Sequence, residues 1–270
     1  IATNALLEGK GARVGLLATQ GFRDSLEIRR GIRRNAWDHR APYPAVLVPR
    51  FLRRPVAGRI DRHGAEVEAL NTEDVVQAAR YFEAEAVESV AICLFNSFLN
   101  DSHECRAQDL IGDELSVPVN RSSVLAPIMG EYERTSTAVV SAYVAPRVTL
   151  YLRDLNARLE SLGLKIPMLV VQNNGGLANV RSVIEHPATL LLSGPAAATG
   201  ALKQIAEVTG TDNLISMEVG GTSCDVILLH DGEVAITDAF DIADYHVGLS
   251  AAEIHTIGAG GGTLAGCDEA

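Results

Sequence analysis

The chain is poor in aromatic residues: Phe, Tyr and Trp make up 5% of its 270 residues, and there is a single Trp. Its core must therefore be assembled from Ala, Val, Leu and Ile, which a hydrophobic content of 47% allows. Basic residues are also short, with 23 Lys and Arg against 34 Asp and Glu for a net charge of −11. Outside "RRGIRR" (29–34), a solvated loop or helix end, no basic run exists. Nucleic acid is excluded as a main partner, because binding phosphates requires clustered cations. The cysteines Cys93, Cys105, Cys224 and Cys267 show neither CxxC nor regular spacing. That is the pattern of a reduced, cytoplasmic protein, with Cys93 as a small core residue. Runs such as "SVAICLF" and "IPMLVV" fall far short of the roughly 20 apolar residues of a membrane span. The opening "IATNALLEGKGARVGLL" has no signal-peptide plan, and an initial Ile makes the chain read as a piece of a longer one.

Apolar strands alternate with helical patterns. "ARVGLLAT" reads as a buried strand, and "AVLVPRFLRRPVAGRID" as extended, since Pro49 and Pro55 bar a helix. "NTEDVVQAARYFEAEAVESVAICLF" reads as a helix followed by a strand, with Thr72 before an acidic first turn. "SHECRAQDLIGDEL" is helical and "VPVNRSS" extended. The longest helical pattern, Glu131 to Leu162, is expected to be interrupted near Pro146 and stopped by Gly163. Its second half carries an apolar face of Leu150, Leu152, Leu155, Leu159 and Leu162. "KIPMLVVQ" is a strand opening into "NNGG". The alternation predicts an α/β architecture with a parallel or mixed sheet. The expected division is 1–118, 119–206 and 207–270, with a second lobe starting near Glu207.

The chemistry concentrates in "SMEVGGTSCDVILL" (216–229), where two strand-like runs flank Gly-Gly-Thr-Ser. Gly220 and Gly221 let the backbone approach a ligand and aim N–H groups at it. Thr222 and Ser223 add hydroxyls that suit phosphate oxygens, and Asp225 suits a magnesium ion that keeps part of its water. A tight hairpin whose glycines serve only the backbone is the alternative. "LLSGPAAATGAL" (191–202) predicts a small-residue helix, and "HTIGAGGGTLAG" (255–266) a second glycine loop.

These features in this order resemble the nucleotide-binding core of sugar kinases, actin and the seventy-kilodalton chaperones. More closely, the chain resembles the A-type subunit of the ATP-dependent hydantoinase/5-oxoprolinase family. The matching segments are "ATNALLEGKGARVGLLATQGFRD", "EYERTSTAVVSAYV", "VVQNNGGLANV", "LLSGPAAATGAL", "GGTSCDV" and "HTIGAGGGTLAG". The resemblance implies a two-lobed fold of that type, with ATP and magnesium used to open a cyclic amide such as a hydantoin or 5-oxoproline. The amide oxygen would be phosphorylated before water attacks. It places Gly220, Gly221, Thr222 and Ser223 at phosphate, Asp225 at magnesium with Glu218 beside it, and Gly258, Gly260, Gly261 and Gly262 along the cleft. Ser193, Gly194 and Pro195 would start a helix at the lobe crossing. A B-type partner subunit is implied as well. Ketone carboxylase subunits of the acetone or acetophenone type share these motifs and form the alternative, and a non-catalytic nucleotide-binding subunit is a second.

The chain departs from the family's pattern in three ways. Glu218 stands where many relatives have Asp, the family's first phosphate loop is absent before Ile1, and the sequence stops just after "GGGTLAG", ahead of the family's usual end, so this segment alone is expected to be inactive. No two histidines pair at metal-ligand spacing, and His255 is the best functional candidate among them. Glu131, Glu133 and Arg134 read as capping and ion-pairing residues in preference to a role at the cleft. "QNNGG" (172–176) either faces the cleft or only turns the chain. No GxSxG elbow supports a serine hydrolase.

Overall fold

The structure is a computed structural model that describes residues 1–31, 37, 38, 40, 45–221, 223–264 and 266. The chain forms two compact units. One holds Ile1–Met168, Val180–Ala188 and Ala239–Leu249; the other holds Leu169–Asn179, Thr189–Asp238 and Ser250–Ala270.

The first unit is built on β1 (Val14–Thr19), β2 (Arg53–Val56), β3 (Ser89–Cys93) and β4 (Val119–Arg121). They form a parallel sheet in the order β2-β1-β3-β4. Every residue of β1 and β3 is buried, as expected of central strands covered on both faces. The crossover helices are α1 (Thr72–Ala84) and α2 (Ser102–Glu114). A Cβ on Gly15 would lie 2.8 Å from the Phe82 ring of α1, so the glycine lets that helix sit down on β1. The other face is covered by α3 (Glu131–Ser161): Thr135 donates to the Cys93 sulfur over 3.1 Å, and Ser141 to Asn120 over 3.0 Å.

Three local expectations need correction. The cap of α1 is Asn71, whose side chain accepts from the N–H groups of Glu73 and Asp74, and Thr72 is already helical. Pro146 does not interrupt α3, which runs unbroken for 31 residues. An interior proline costs about 3 kcal/mol, and the continuously buried stretch from Arg134 to Ala145 offsets that. Of the leucines on its second half Leu152 is buried, whereas Leu150 and Leu162 are exposed, so the apolar face is narrower than the spacing predicts. The helix does end at Gly163, with positive φ and the paired bonds Gly163 N–H to Glu160 and Leu164 N–H to Leu159.

In the second unit α4 (Ala198–Thr209) lies against β5 (Leu214–Val219) and β6 (Cys224–His230). Antiparallel to β6 run β5, β7 (Glu233–Val234) and β8 (Ile254–Ile257). Asp231 and Gly232 both have positive φ, the geometry of the two-residue turn expected between β6 and β7. Leu202 and Ala206 of α4 pack on Ile227, Leu229 and Val234. The α/β class and the mixture of parallel and antiparallel sheets agree with the sequence reading.

Candidate functional site

Strands β5 and β6 form a hairpin closed by the bond from Gly220 N–H to the Ser223 carbonyl, 2.8 Å. The register fixed by this short connection sets Glu218 opposite Asp225, and β8 on the other side sets Thr256 opposite Asp225. Residues directly opposite in antiparallel strands point to the same face. Glu218, Asp225 and Thr256 therefore form one row across three strands, on the face that carries Ile227 and Leu229 under α4. The Thr256 hydroxyl donates to Asp225 Oδ1 over 2.6 Å. Neither carboxylate has a basic partner among the described residues.

The second glycine loop is tied to the first: Gly261 N–H donates to the Gly220 carbonyl over 2.9 Å. That loop is braced internally by Gly260 N–H to the Thr263 hydroxyl, 3.0 Å. A side chain on Gly221, Gly258 or Gly262 would meet nothing within 4 Å, so the backbone of both loops lies open beside the carboxylate row. Ser223 and Asp225 are half-buried and Glu218 is exposed. Thr222 lies outside the described residues.

This arrangement fits a hydrated divalent cation. Like charges held opposite each other in a sheet repel, and with no lysine or arginine paired to them among the described residues a cation is what would neutralise them. Two carboxylates leave room for the water that magnesium retains. The described residues contain no cluster of three His, Cys, Asp or Glu able to cage a metal. Open N–H groups beside a cation suit a phosphate tail, which brings its own negative charge.

Not every expected residue joins this row. Ser193, Gly194 and Pro195 open the short helix Ser193–Ala196, entered through Leu192 at positive φ, and among the described residues make no hydrogen bond to either glycine loop. His255 alternates to the opposite face of β8 from Thr256 and lies 3.4 Å from Glu253. The Gln172–Gly176 turn is tucked into its own unit: Asn173 is buried, and its backbone bonds Thr189 and Ala252. Arg134 proves fully buried, donating to the Leu94 carbonyl and over 2.9 Å to Ser97. Beside it buried Glu104 accepts from Leu94 N–H, Ser97, Ser122 and Ser123 N–H at 2.6–2.9 Å. The sequence reading missed Thr256 and Glu104. A threonine two residues before a glycine loop was the only available sign of the former.

The two-unit α/β chain, with its parallel sheet in one unit and its glycine-turned antiparallel hairpin in the other, has the fold type of actin and the sugar kinases. Two family models cover most of the chain: Hydantoinase/oxoprolinase matches residues 134–270, and Hydantoinase/oxoprolinase N-terminal region matches 1–115. The chain belongs to the hydantoinase/oxoprolinase family. It is 39% identical over 272 residues to caprolactamase subunit alpha of Pseudomonas jessenii, covering 100% of this chain and 39% of that protein. With the acetophenone carboxylase gamma subunit of Aromatoleum aromaticum it shares 32% identity over 289 residues, covering 99% of this chain and 38% of the other. The crystal structure of ATP-dependent caprolactamase from Pseudomonas jessenii superposes with a TM-score of 0.90 at 39% identity, over 99% of this chain and 39% of that one. The chain thus spans about two fifths of the length of these relatives. Among the described residues, no helix is long and apolar enough to cross a membrane.

Proposed function

We propose that this chain carries the phosphate-handling site of an ATP-dependent cyclic-amide hydrolase. The observation that carries the reading is the Glu218–Asp225–Thr256 row, without a basic partner among the described residues, set beside two glycine loops bonded to each other. Asp225, oriented by Thr256, and Glu218 would hold a hydrated magnesium ion. Gly221, Thr222 and Ser223 on one loop, and Gly258 and Gly262 on the other, would offer N–H and hydroxyl donors to phosphate oxygens, while Gly220, Gly260 and Gly261 would hold the two loops in shape through the N–H bonds they already make. Ser193, Gly194 and Pro195 would serve only by starting the helix that leads into α4. Bound MgATP supplies the phosphoryl group that makes an amide oxygen departable. The chain's own contribution is to orient the phosphate tail and neutralise its charge, which is most of what phosphoryl transfer asks of a protein.

Amide chemistry is supported by the similarity to a caprolactamase. The subunit names of both relatives support a partner subunit, and the reduced-cysteine pattern supports a cytoplasmic setting. The similarity to an acetophenone carboxylase subunit favours ketone carboxylation as the second reading.

The test is ADP release with magnesium and ATP by the protein and its partner subunit, comparing lactams and 5-oxoproline with ketones plus bicarbonate. Release driven by a cyclic amide and cut about a hundredfold by Asp225→Ala is the expected result. Release driven only by ketone plus bicarbonate would transfer the site to the carboxylase reading. Nucleotide binding without release under any condition would leave a binding subunit.

A further inference from the structure

The two glycine loops of the second unit share one plan. The first turn starts at Gly220 and closes at Ser223 through the 2.8 Å bond from Gly220 N–H to the Ser223 carbonyl. The second starts at Gly260 and closes, at the same spacing, on Thr263. It closes twice: Gly260 N–H donates to the Thr263 hydroxyl over 3.0 Å, and Thr263 N–H donates to the Gly260 carbonyl over 2.9 Å. Each turn begins at a glycine and ends at a hydroxyl residue. The bond from Gly261 N–H to the Gly220 carbonyl ties one to the other.

Most donors of the second loop are spent on the protein itself. Ala259 N–H goes to the Ile257 carbonyl over 2.8 Å, and those of Gly260, Gly261 and Thr263 go to the bonds just given. Gly262 N–H has no partner among the described residues, and a side chain at Gly262 would meet nothing within 4 Å. The Thr263 hydroxyl, on an exposed residue, is used only as an acceptor. A hydroxyl also carries a hydrogen to donate, and that of Thr263 has no acceptor among the described residues. Accepting from a backbone N–H polarises the group and makes it a better donor. Two consecutive residues thus offer one open N–H and one open O–H, neither of them charged. Phosphate oxygens suit such a pair, because they only accept and bring their own negative charge to a cation held by Glu218 and Asp225.

We propose that Thr263 is a phosphate-binding residue of the second glycine loop. Its hydroxyl accepts from Gly260 N–H to hold the turn and donates its own hydrogen to an oxygen of the nucleotide's phosphate tail, next to Gly262 N–H. Thr263 then does for the second loop what Ser223 does for the first. The inference rests on the phosphate-site reading above and adds to that site a side chain beyond the glycines of its second loop.

The experiment is calorimetric titration of the protein, together with its partner subunit, with MgADP, magnesium pyrophosphate and adenosine. Thr263→Val keeps the side chain's shape and removes the hydroxyl. It should weaken MgADP and magnesium pyrophosphate by about tenfold, the worth of one hydrogen bond to a charged group, and leave adenosine unchanged. Thr263→Ser, which retains the hydroxyl, should bind all three as the wild type does. Hydrogen exchange at the Gly261 amide should be the same in Thr263→Val as in wild type, showing the two loops still bonded. Thermal melts confirm folding, and Thr263→Ala replaces Thr263→Val should the latter unfold. Asp225→Ala, titrated alongside, should weaken both magnesium ligands. If it does so while Thr263→Val binds them like wild type, the role of Thr263 is overturned and the phosphate site stands. Faster exchange at Gly261 in Thr263→Val, or an equal loss of adenosine binding, would make the hydroxyl a brace of the loop and also overturn the contact. A wild-type protein that binds neither MgADP nor magnesium pyrophosphate overturns the contact and the phosphate site together.

Discussion

Glu218 offers the sharpest test of the cation site, because removing its charge should change stability in opposite directions with and without the metal. It sits directly across from Asp225, and neither has a basic partner among the described residues. Side chains in that relation start about 5 Å apart. Two unit charges at that distance repel by ~0.8 kcal/mol in water and ~3 kcal/mol at an effective dielectric of 20. Glu218 is exposed and Asp225 half-buried, so the lower end applies. Glu218→Gln keeps the shape and removes one charge. In EDTA at low salt it should therefore be more stable than wild type by about 1 kcal/mol, or a rise of roughly 2–4 °C in Tm. The advantage should fade as salt shortens the screening length from about 10 Å at 0.1 M to about 3 Å at 1 M. Magnesium should reverse the order, since an ion at ten times its Kd stabilises the wild type by about 1.4 kcal/mol and the variant gains less. Thermal melts in EDTA and in magnesium, each at low and high salt, make the measurement. A variant no more stable in EDTA, or one that gains as much from magnesium as wild type, would refute the pairing argument.

Two further outcomes follow from the first unit. Glu104→Gln replaces one accepting oxygen by a donor amide among four donors and leaves buried Arg134 short of a counter-charge. The expected loss is about 3–5 kcal/mol in urea unfolding, and a loss below about 1 kcal/mol would show that the 94–97 loop is held otherwise. Arg50 bonds both oxygens of Asp24, at 3.0 and 2.9 Å, and those bonds hold the Asp24 carboxyl below its ordinary range. A lowered pKa stabilises the fold above the ordinary carboxylate range and ceases to do so as pH falls through the folded value. Arg50→Met should therefore lower the urea midpoint at neutral pH, by a modest amount because the pair is partly exposed. The gap should close in acid, and a gap that is the same at both pH values would exclude the pair as its cause.

What could be read in the sequence was what the chain decides locally. Two strand-like runs joined by Gly-Gly-Thr-Ser allow few registers, and the shortest closes Gly220 on Ser223 and brings Glu218 opposite Asp225. The second glycine loop was legible for the same reason, since only glycine tolerates what such a run asks of the backbone. Thr256 was not, because its place beside Asp225 depends on β8 returning to β6 from some 30 residues away. The continuity of α3 through Pro146 escaped because burial along Arg134–Ala145, rather than propensity, holds that helix. Arg134 itself was legible only as an ion-pairing residue near a helix start. Its burial becomes intelligible once the carbonyl of Leu94 and the carboxylates of Glu104 and Glu131 surround it. The same holds for the aromatic stack at the switch point. Residues 22, 59 and 95 have no spacing that relates them, and only a parallel sheet that reverses its order between β1 and β3 gathers them at one edge. The phosphate-loop residues, which must be contiguous to shape a backbone, leave a motif. The stack of Phe22 and Phe95 beside Arg59 needs only scattered side chains that a sheet collects, so it leaves none.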